Sequence, residues 1–471
     1  MIRTLCLKIL RILAGILILG VIFAIVTLGI IEIHFPGTSL NQIIFHAIYL
    51  DSSFLATYPR LIFLVLAFTT VLTYLTLKKP YLGIPLLAVA AWVLFTYQPV
   101  HVSEIKEDKP ISLLRQLWLS TQTTSIYRHL APTPTITLPQ HSKNLILIFA
   151  ESMEKNYTDS SFGVNLIPHL SSLAAQNTTI AGYRSINGTN WTLASQVATF
   201  CGVPLRVQLR DKLGPKTQHF LPNAICVPDL LSQAGYYTVF AGGTYLSFVG
   251  TDVFVREHHF NELWGRDELI AQHFATQNDI GLEEFGVNDS ALFQFAKQKL
   301  QELAARKQPF FISLTTLDTH FPHGYVQSSC NKTYNDTRDA IKCSDKILHD
   351  FITWCQEQPF FKDTVLVVMG DHLMMTSSDI HELLGKNTRR EPYNLIIAPG
   401  IPLPKHIDRL YSQMDWAPTL LDLLGLPSAH KLGLGTSLLR EDKTWVEQVG
   451  PDAFEQELIK NSPQYKHLLG L

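Results

Sequence analysis

Glu151 follows the apolar run NLILIFA, and Asp371 with His372 follows the apolar run DTVLVVMG. Carboxylate oxygens and imidazole nitrogen are the donors that hard or borderline divalent cations take, so these two run ends describe a candidate metal site built from distant parts of the chain. A glutamate after a strand is by itself more often a solvated loop residue. A Gly-Asp-His triplet directly behind an apolar strand is a sharper signal. A third run, FFISLTT, is followed by Asp318 and His320.

The segment INGTNWTLASQVATFCG adds a nucleophile. Leu193, Val197 and Phe200 recur at helical spacing, so a helix begins near Thr192 after a glycine-containing turn. A hydroxyl there lies among unpaired backbone amides at the positive end of the helix dipole, which favours an anionic phosphoryl group. Metal coordination would also lower its pKa and make it a nucleophile at neutral pH. The competing reading is an N-cap threonine that only satisfies the helix. The two metal-type run ends tip the balance toward chemistry.

The elements that must position these residues are legible from Asn144 onward, where short apolar runs alternate with helical patterns. That alternation describes βα units of a buried, largely parallel sheet. The expected strands are NLILIFA, TTIAGYR, YYTVFAGG, FFISLTT, DTVLVVMG and YNLIIAPG, with helices over Asn288–Arg306, Thr337–Glu357 and Met414–Gly425. The fold class is α/β with helices on both faces. In such sheets ligands bind beyond the carboxyl ends of the strands, where the candidate residues fall.

Hydrophobic residues make up 46% of the 471 residues and charged ones 17%, with the apolar excess concentrated in the first hundred. Three uncharged stretches, Ile12–Ile31, Leu61–Leu77 and Tyr81–Val100, approach or reach the length of a membrane-crossing helix. Arg3, Lys8 and Arg11 precede the first, and Lys78 and Lys79 separate the second from the third, so the positive-inside rule carries everything after Val100 to the outer side. The expected organisation is a three-span anchor over residues 1–100, a linker over 101–143 and a catalytic domain over 144–471. A formal net charge of −2 gives no basic stripe for nucleic acid. Of the cysteines beyond the anchor, Cys201–Cys226 and Cys330–Cys343 are the expected pairs with Cys355 left over, the alternative being that all five are small buried apolar residues.

Glu after the first strand, Thr at a helix start, His in THFPH and a late Asp-His together resemble the phosphoglycerol and phosphoethanolamine transferases related to lipoteichoic acid synthase, in the alkaline-phosphatase superfamily. More narrowly, NLILIFAESMEKNYTD, GTNWTLASQVATFCGVPL, IKCSD and GDHLMM resemble the phosphoglycerol transferases that modify periplasmic glucans. The resemblance implies an alkaline-phosphatase/sulfatase-like domain in which Glu151, Asp371 and His372 are metal ligands and Thr192 is the covalent nucleophile that also touches the metal. It also implies that His320, and less strongly His323, binds the substrate phosphate. Ser195 and Gly202, three and ten residues after Thr192, fit the superfamily pattern; Thr189 is the runner-up. Manganese is the implied metal, with magnesium or zinc as alternatives.

The implied reaction moves phosphoglycerol from phosphatidylglycerol to a glycan acceptor, in the periplasm, from a multi-pass protein of the bacterial inner membrane. Phosphoethanolamine transfer to lipid A or another envelope glycan is the competing enzyme reading, and a catalytically silent tethered binding protein the non-enzymatic one. Two departures matter. Val249 and Thr251 stand where lipoteichoic acid synthase has Trp and Arg near its phosphoglycerol site, and in CGVPLR Pro204 follows Cys201 by three residues where formylglycine sulfatases need two.

Overall fold

The computed structural model describes residues 111–471 apart from 112, 137–140, 159–161, 207–218, 282–284, 307, 322, 376–379, 381–383, 385–388 and 427–429, together with short segments before residue 111, chiefly 18–27 and 59–78. Its centre is a six-stranded sheet made of β1 (Asn144–Ala150), β2 (Tyr237–Gly242), β3 (Glu262–Trp264), β4 (Phe310–Thr315), β5 (Thr364–Gly370) and β6 (Asn394–Ile397), in the spatial order β3-β2-β4-β1-β5-β6. Five strands run parallel and β6 closes one edge antiparallel to β5. Every residue of β4 and β5 is buried, as a parallel sheet covered on both faces requires.

Successive residues of a strand point to opposite faces, and β1 divides accordingly. Leu145, Leu147 and Phe149 join the core that contains Ala194, Val197 and Phe200 of α1 (Thr192–Cys201) and Leu420 of α4 (Trp416–Leu423). Ile146, Ile148 and Ala150 join the other core, with Leu292 and Phe295 of α2 (Asp289–Ala305) and Leu348 and Phe351 of α3 (Thr337–Gln356). Helices thus cover both faces, and α1, which carries the candidate nucleophile, is pressed against the central strand.

Five of the six expected strands belong to this sheet, four of them in its parallel part. TTIAGYR does not: Thr179–Tyr183 pairs with His406–Tyr411 in a separate two-stranded sheet. YNLIIAPG joins the main sheet with reversed direction, because the register of β6 with β5 is antiparallel. Glu262–Trp264 and His406–Tyr411 are strands that the apolar pattern did not announce, the first being short and half-buried and the second largely polar. The pairs Cys201–Cys226 and Cys330–Cys343 both form, and Cys355 is free and buried.

Of the expected membrane spans, Leu61–Leu77 coincides with a helix over Pro59–Lys78, while much of the first and nearly all of the third lie outside the described residues. Among the described residues no helix is long and apolar enough to cross a membrane.

The end of β5 is closely fitted. A Cβ added at Gly370 would meet the Met153 carbonyl oxygen at 2.0 Å, a backbone atom with nowhere to go. Gly370→Ala is therefore expected to destabilise the chain by about 3 kcal/mol or more, read as a shift of the denaturant midpoint, and to do so without touching any candidate ligand.

Candidate metal centre

The register of the sheet builds the site. Ala150 of β1 pairs with Gly370 of β5, so the next residues, Glu151 and Asp371, leave adjacent strands side by side. Both are buried, and one oxygen of each, together with a ring nitrogen of His372, lies within 4.8 Å of the others. Asp371 Oδ1 accepts the backbone amides of Ser152 and His372, each at 2.9 Å. Its Oδ2 is buried and accepts no hydrogen bond from the described residues. The Nδ1–H of His372 donates to the Leu373 carbonyl at 2.9 Å, which leaves Nε2 facing the carboxylates, 3.5 Å from Glu151 Oε1 and 3.4 Å from Asp371 Oδ2.

Two carboxylates out of water cannot both stay ionised without a compensating cation. Burial, and then the neighbouring Glu151 charge, push Asp371 up to about 7. For Glu151, burial works upward but is outweighed by His372, His320 and the Ser152 hydroxyl, which hold it below the usual carboxylate range. For His372, burial opposes the imidazolium, yet the Asp371 and Glu151 charges raise it. A divalent cation would relieve all three: it would give Asp371 Oδ2 a partner, neutralise the pair and replace a proton on Nε2. The donor set of two carboxylates, an imidazole and a hydroxyl fits such an ion.

Thr192 supplies the hydroxyl. It is the first residue of α1, and the N-cap is Trp191, which makes no side-chain cap. Thr192 Oγ1 instead donates to Glu151 Oε2 at 3.2 Å and lies 3.3 Å from His372 Nε2. The capping alternative therefore fails, since the hydroxyl faces the carboxylates. Thr189 is fully buried and spends its hydroxyl on the Ile186 carbonyl at 2.8 Å. Ser195 lies in α1 behind Thr192, and Gly202 ends the helix at φ 65°, where a Cβ would meet the Leu432 carbonyl oxygen at 2.0 Å.

His320 stands beyond the end of β4, the strand on the other side of β1, half-buried, with Nδ1 2.7 Å from the Phe321 carbonyl. It is near enough to Glu151 to lower that carboxyl. His323 is exposed. Asp318, also at this strand end, turns away from the cluster: its Oδ2 accepts the Asp289 amide at 3.2 Å and the Gln327 side chain.

The model of the sulfatase family matches residues 143–426, more than half of the chain. The chain belongs to the sulfatase family. This sulfatase-family chain is 33% identical over 317 residues to proteins named phosphoglycerol transferase I in Escherichia coli O127:H6 and Shigella flexneri, an alignment that takes in 65% of the chain and 40% of each relative. It thus spans about two fifths of the length of these curated relatives. Among solved structures it is similar to a protein in the alkaline phosphatase superfamily from Vibrio parahaemolyticus (TM-score 0.52, 22% identity, 70% of this chain and 78% of that one). It is also similar to the lipoteichoic acid synthase LtaP from Listeria monocytogenes (TM-score 0.51, 20% identity, 65% and 79%). These likenesses establish the alkaline-phosphatase/sulfatase-like α/β fold.

Several residues that hold the centre in this sulfatase-family domain carried no sequence signal. Thr316 Oγ1 accepts the Glu151 amide at 2.9 Å, and the Thr319 hydroxyl donates to the Glu151 carbonyl, so the segment that follows β4 fixes the backbone of the first ligand. Ser152 donates to Glu151 Oε1 at 2.7 Å and sits at φ 49°, a left-handed conformation that a non-glycine residue adopts only under constraint. Glu154, fully buried, pairs with Arg390 and accepts the Met374 amide at 3.0 Å, tying the segment after β1 to the segment after His372. Threonines after FFISLT and a glutamate four residues into a loop look like ordinary turn residues until the strand order puts them together.

A pH dependence follows from Asp371. Its unfolded carboxyl titrates near ~3.9 and its folded one higher, so the native state holds the extra proton between the two. Metal-free protein is expected to lose stability as the pH rises from about 4 to about 7, the folded value for Asp371. In Asp371→Asn that slope should flatten, as measured by denaturant unfolding in chelator across the range.

Proposed function

We propose that the chain is a metal-dependent transferase that moves a phosphoglycerol headgroup from phosphatidylglycerol to a periplasmic glycan acceptor of the osmoregulated-glucan type, through a covalent intermediate on Thr192. The observation that carries this reading is the Thr192 hydroxyl, held at the uncapped start of α1 against Glu151 and His372. The similarity to phosphoglycerol transferase I over most of the domain supports the headgroup.

Glu151, Asp371, His372 and Thr192 would hold the ion, manganese by preference and magnesium or zinc as alternatives. When bound, it lowers the pKa of the hydroxyl and stabilises charge on the phosphoryl oxygens, an effect worth several kcal/mol of barrier. The protein's own groups do the rest. Thr192 Oγ1 already donates toward Glu151 Oε2, so its proton has an acceptor when the hydroxyl oxygen attacks phosphorus. Attack forms the Thr192–phosphorus bond and breaks the bond to the diacylglycerol oxygen, which takes up a proton. In this reading His320 binds the phosphate or gives that proton. An acceptor hydroxyl then attacks the same phosphorus, releases Thr192 and returns a proton to it. Free amides at the start of α1 favour the anionic group throughout.

Sulfate-ester chemistry by a cysteine-derived aldehyde is disfavoured, because Cys201 is joined to Cys226 and Pro204 is one position out of step. The three-span anchor, an inner-membrane location and a periplasmic domain form part of the same reading. They rest on the apolar stretches and flanking cations, and on two disulfides that need an oxidising compartment.

The test is intact-protein mass spectrometry of the purified full chain incubated with phosphatidylglycerol and Mn²⁺. A glycerophosphate adduct is expected in the wild type and in Thr189→Ala, and its absence in Thr192→Ala. An adduct only with phosphatidylethanolamine would move the chain to the phosphoethanolamine reading. No adduct with either lipid would overturn group transfer. Independently, His320→Ala is expected to lower turnover by about 10²-fold or more while leaving the unfolding midpoint within experimental error.

A further inference from the structure

At the carboxyl edge of the sheet, the strand next to the His320 strand is β2. The loop that leaves it carries Tyr245 and Phe248, and Phe285 is brought alongside from a distant segment. The three rings form one cluster, with centroids 5.9 Å apart for Tyr245 and Phe285, 4.8 Å for Phe248 and Phe285, and 5.6 Å for Tyr245 and Phe248. Phe285 lies 5.8 Å from the His320 ring. The Arg266 guanidinium lies 5.3 Å from the Tyr245 ring, and its Nε donates to Asp267 at 2.8 Å.

This wall is built into the fold. Thr244 bridges to Gly286, and the Val287 amide donates to the Gly243 carbonyl at 2.9 Å. A Cβ on Gly286 would meet that carbonyl oxygen at 2.5 Å, so the two segments can approach this closely only with glycine there. Yet none of the three rings is fully buried. Two strand spacings, about 10 Å, separate β2 from the Glu151 strand. A phosphoryl group at the Glu151 strand end followed by one sugar ring would span a distance of this order.

Resting on the headgroup-transfer reading, we infer that Tyr245, Phe248 and Phe285, with the Arg266–Asp267 pair, form the acceptor subsite and take a sugar ring of the glycan. Pyranose C–H faces pack on aromatic rings, while a guanidinium–carboxylate pair and an imidazole at the ring edges match hydroxyl groups. An acyl chain of the lipid donor would need a continuous apolar groove, and here the rings are flanked by charge.

The experiment uses the full chain with phosphatidylglycerol as donor and a short β-linked glucan oligosaccharide as acceptor. In Phe285→Ala, and in the milder Phe285→Leu and Arg266→Gln, KM for the oligosaccharide is expected to rise about tenfold, well beyond any change in the rate of Thr192 adduct formation. A parallel fall in adduct formation would assign the wall to the lipid donor and overturn the inference, as would an unaltered KM. If the wild type forms no adduct, the transfer reading fails. The wall is then read by calorimetric titration with the same oligosaccharide, where weaker binding to the Phe285 variants supports a sugar site and equal or absent binding in all forms overturns it.

Discussion

Two carboxylates forced together in a dry place dominate this protein. The parallel register of β1 and β5 brings Glu151 and Asp371 out at the same level of adjacent strands, beneath helix α1 and away from solvent. At an effective dielectric of ~20, two unit charges ~4 Å apart repel by roughly 4 kcal/mol, before any loss of hydration is counted. Hydrogen bonds to one oxygen of Asp371 relieve part of this, and the buried, unsatisfied second oxygen shows where the arrangement is incomplete. A divalent cation is the economical solution. The same field that would attract it also draws in the Thr192 hydroxyl.

The surrounding structure can be understood as resistance to that repulsion. Ser152 is held in a left-handed conformation, Thr316 and Thr319 grip both backbone groups of Glu151 from just beyond the neighbouring strand, and the buried Glu154–Arg390 pair locks the two ligand-bearing segments to each other. A buried ion pair is weak evidence for stability in itself, but here it spans the two segments whose separation would dissolve the site. The disulfide at the far end of α1 serves the same purpose, tying the helix that presents Thr192 to the segment beginning at Cys226. A second buried carboxylate pair, Asp289 and Asp318, is bound up in amide contacts beyond β4 and stays outside the centre.

Much of this was legible in the sequence, and for a physical reason. Fully buried parallel strands must be continuous apolar runs, so their ends mark the positions where polar residues converge, and Glu151, Asp371 and His372 were readable at once. Thr192 was readable from the helical spacing behind it. The edges were not, since Glu262–Trp264 and His406–Tyr411 are half-exposed and mixed in character, and TTIAGYR has an apolar pattern that says nothing about which sheet it joins. The supporting threonines, Glu154 and Arg390 were invisible because their roles depend on strand order, which a single sequence does not encode locally. His323 shares its motif with His320, yet it points to solvent, a difference that only the path of the loop decides.

The central claim is that the Glu151–Asp371 pair requires a divalent cation. Its most direct measurement is the thermal unfolding midpoint of the full chain at neutral pH, after chelation and after Mn²⁺ is restored, in wild type and in Asp371→Asn. The account predicts that chelation lowers the wild-type midpoint and Mn²⁺ restores it, while chelated Asp371→Asn unfolds at a higher temperature than chelated wild type and ignores the metal. A wild type indifferent to chelation, with Asp371→Asn less stable than it, would contradict the account.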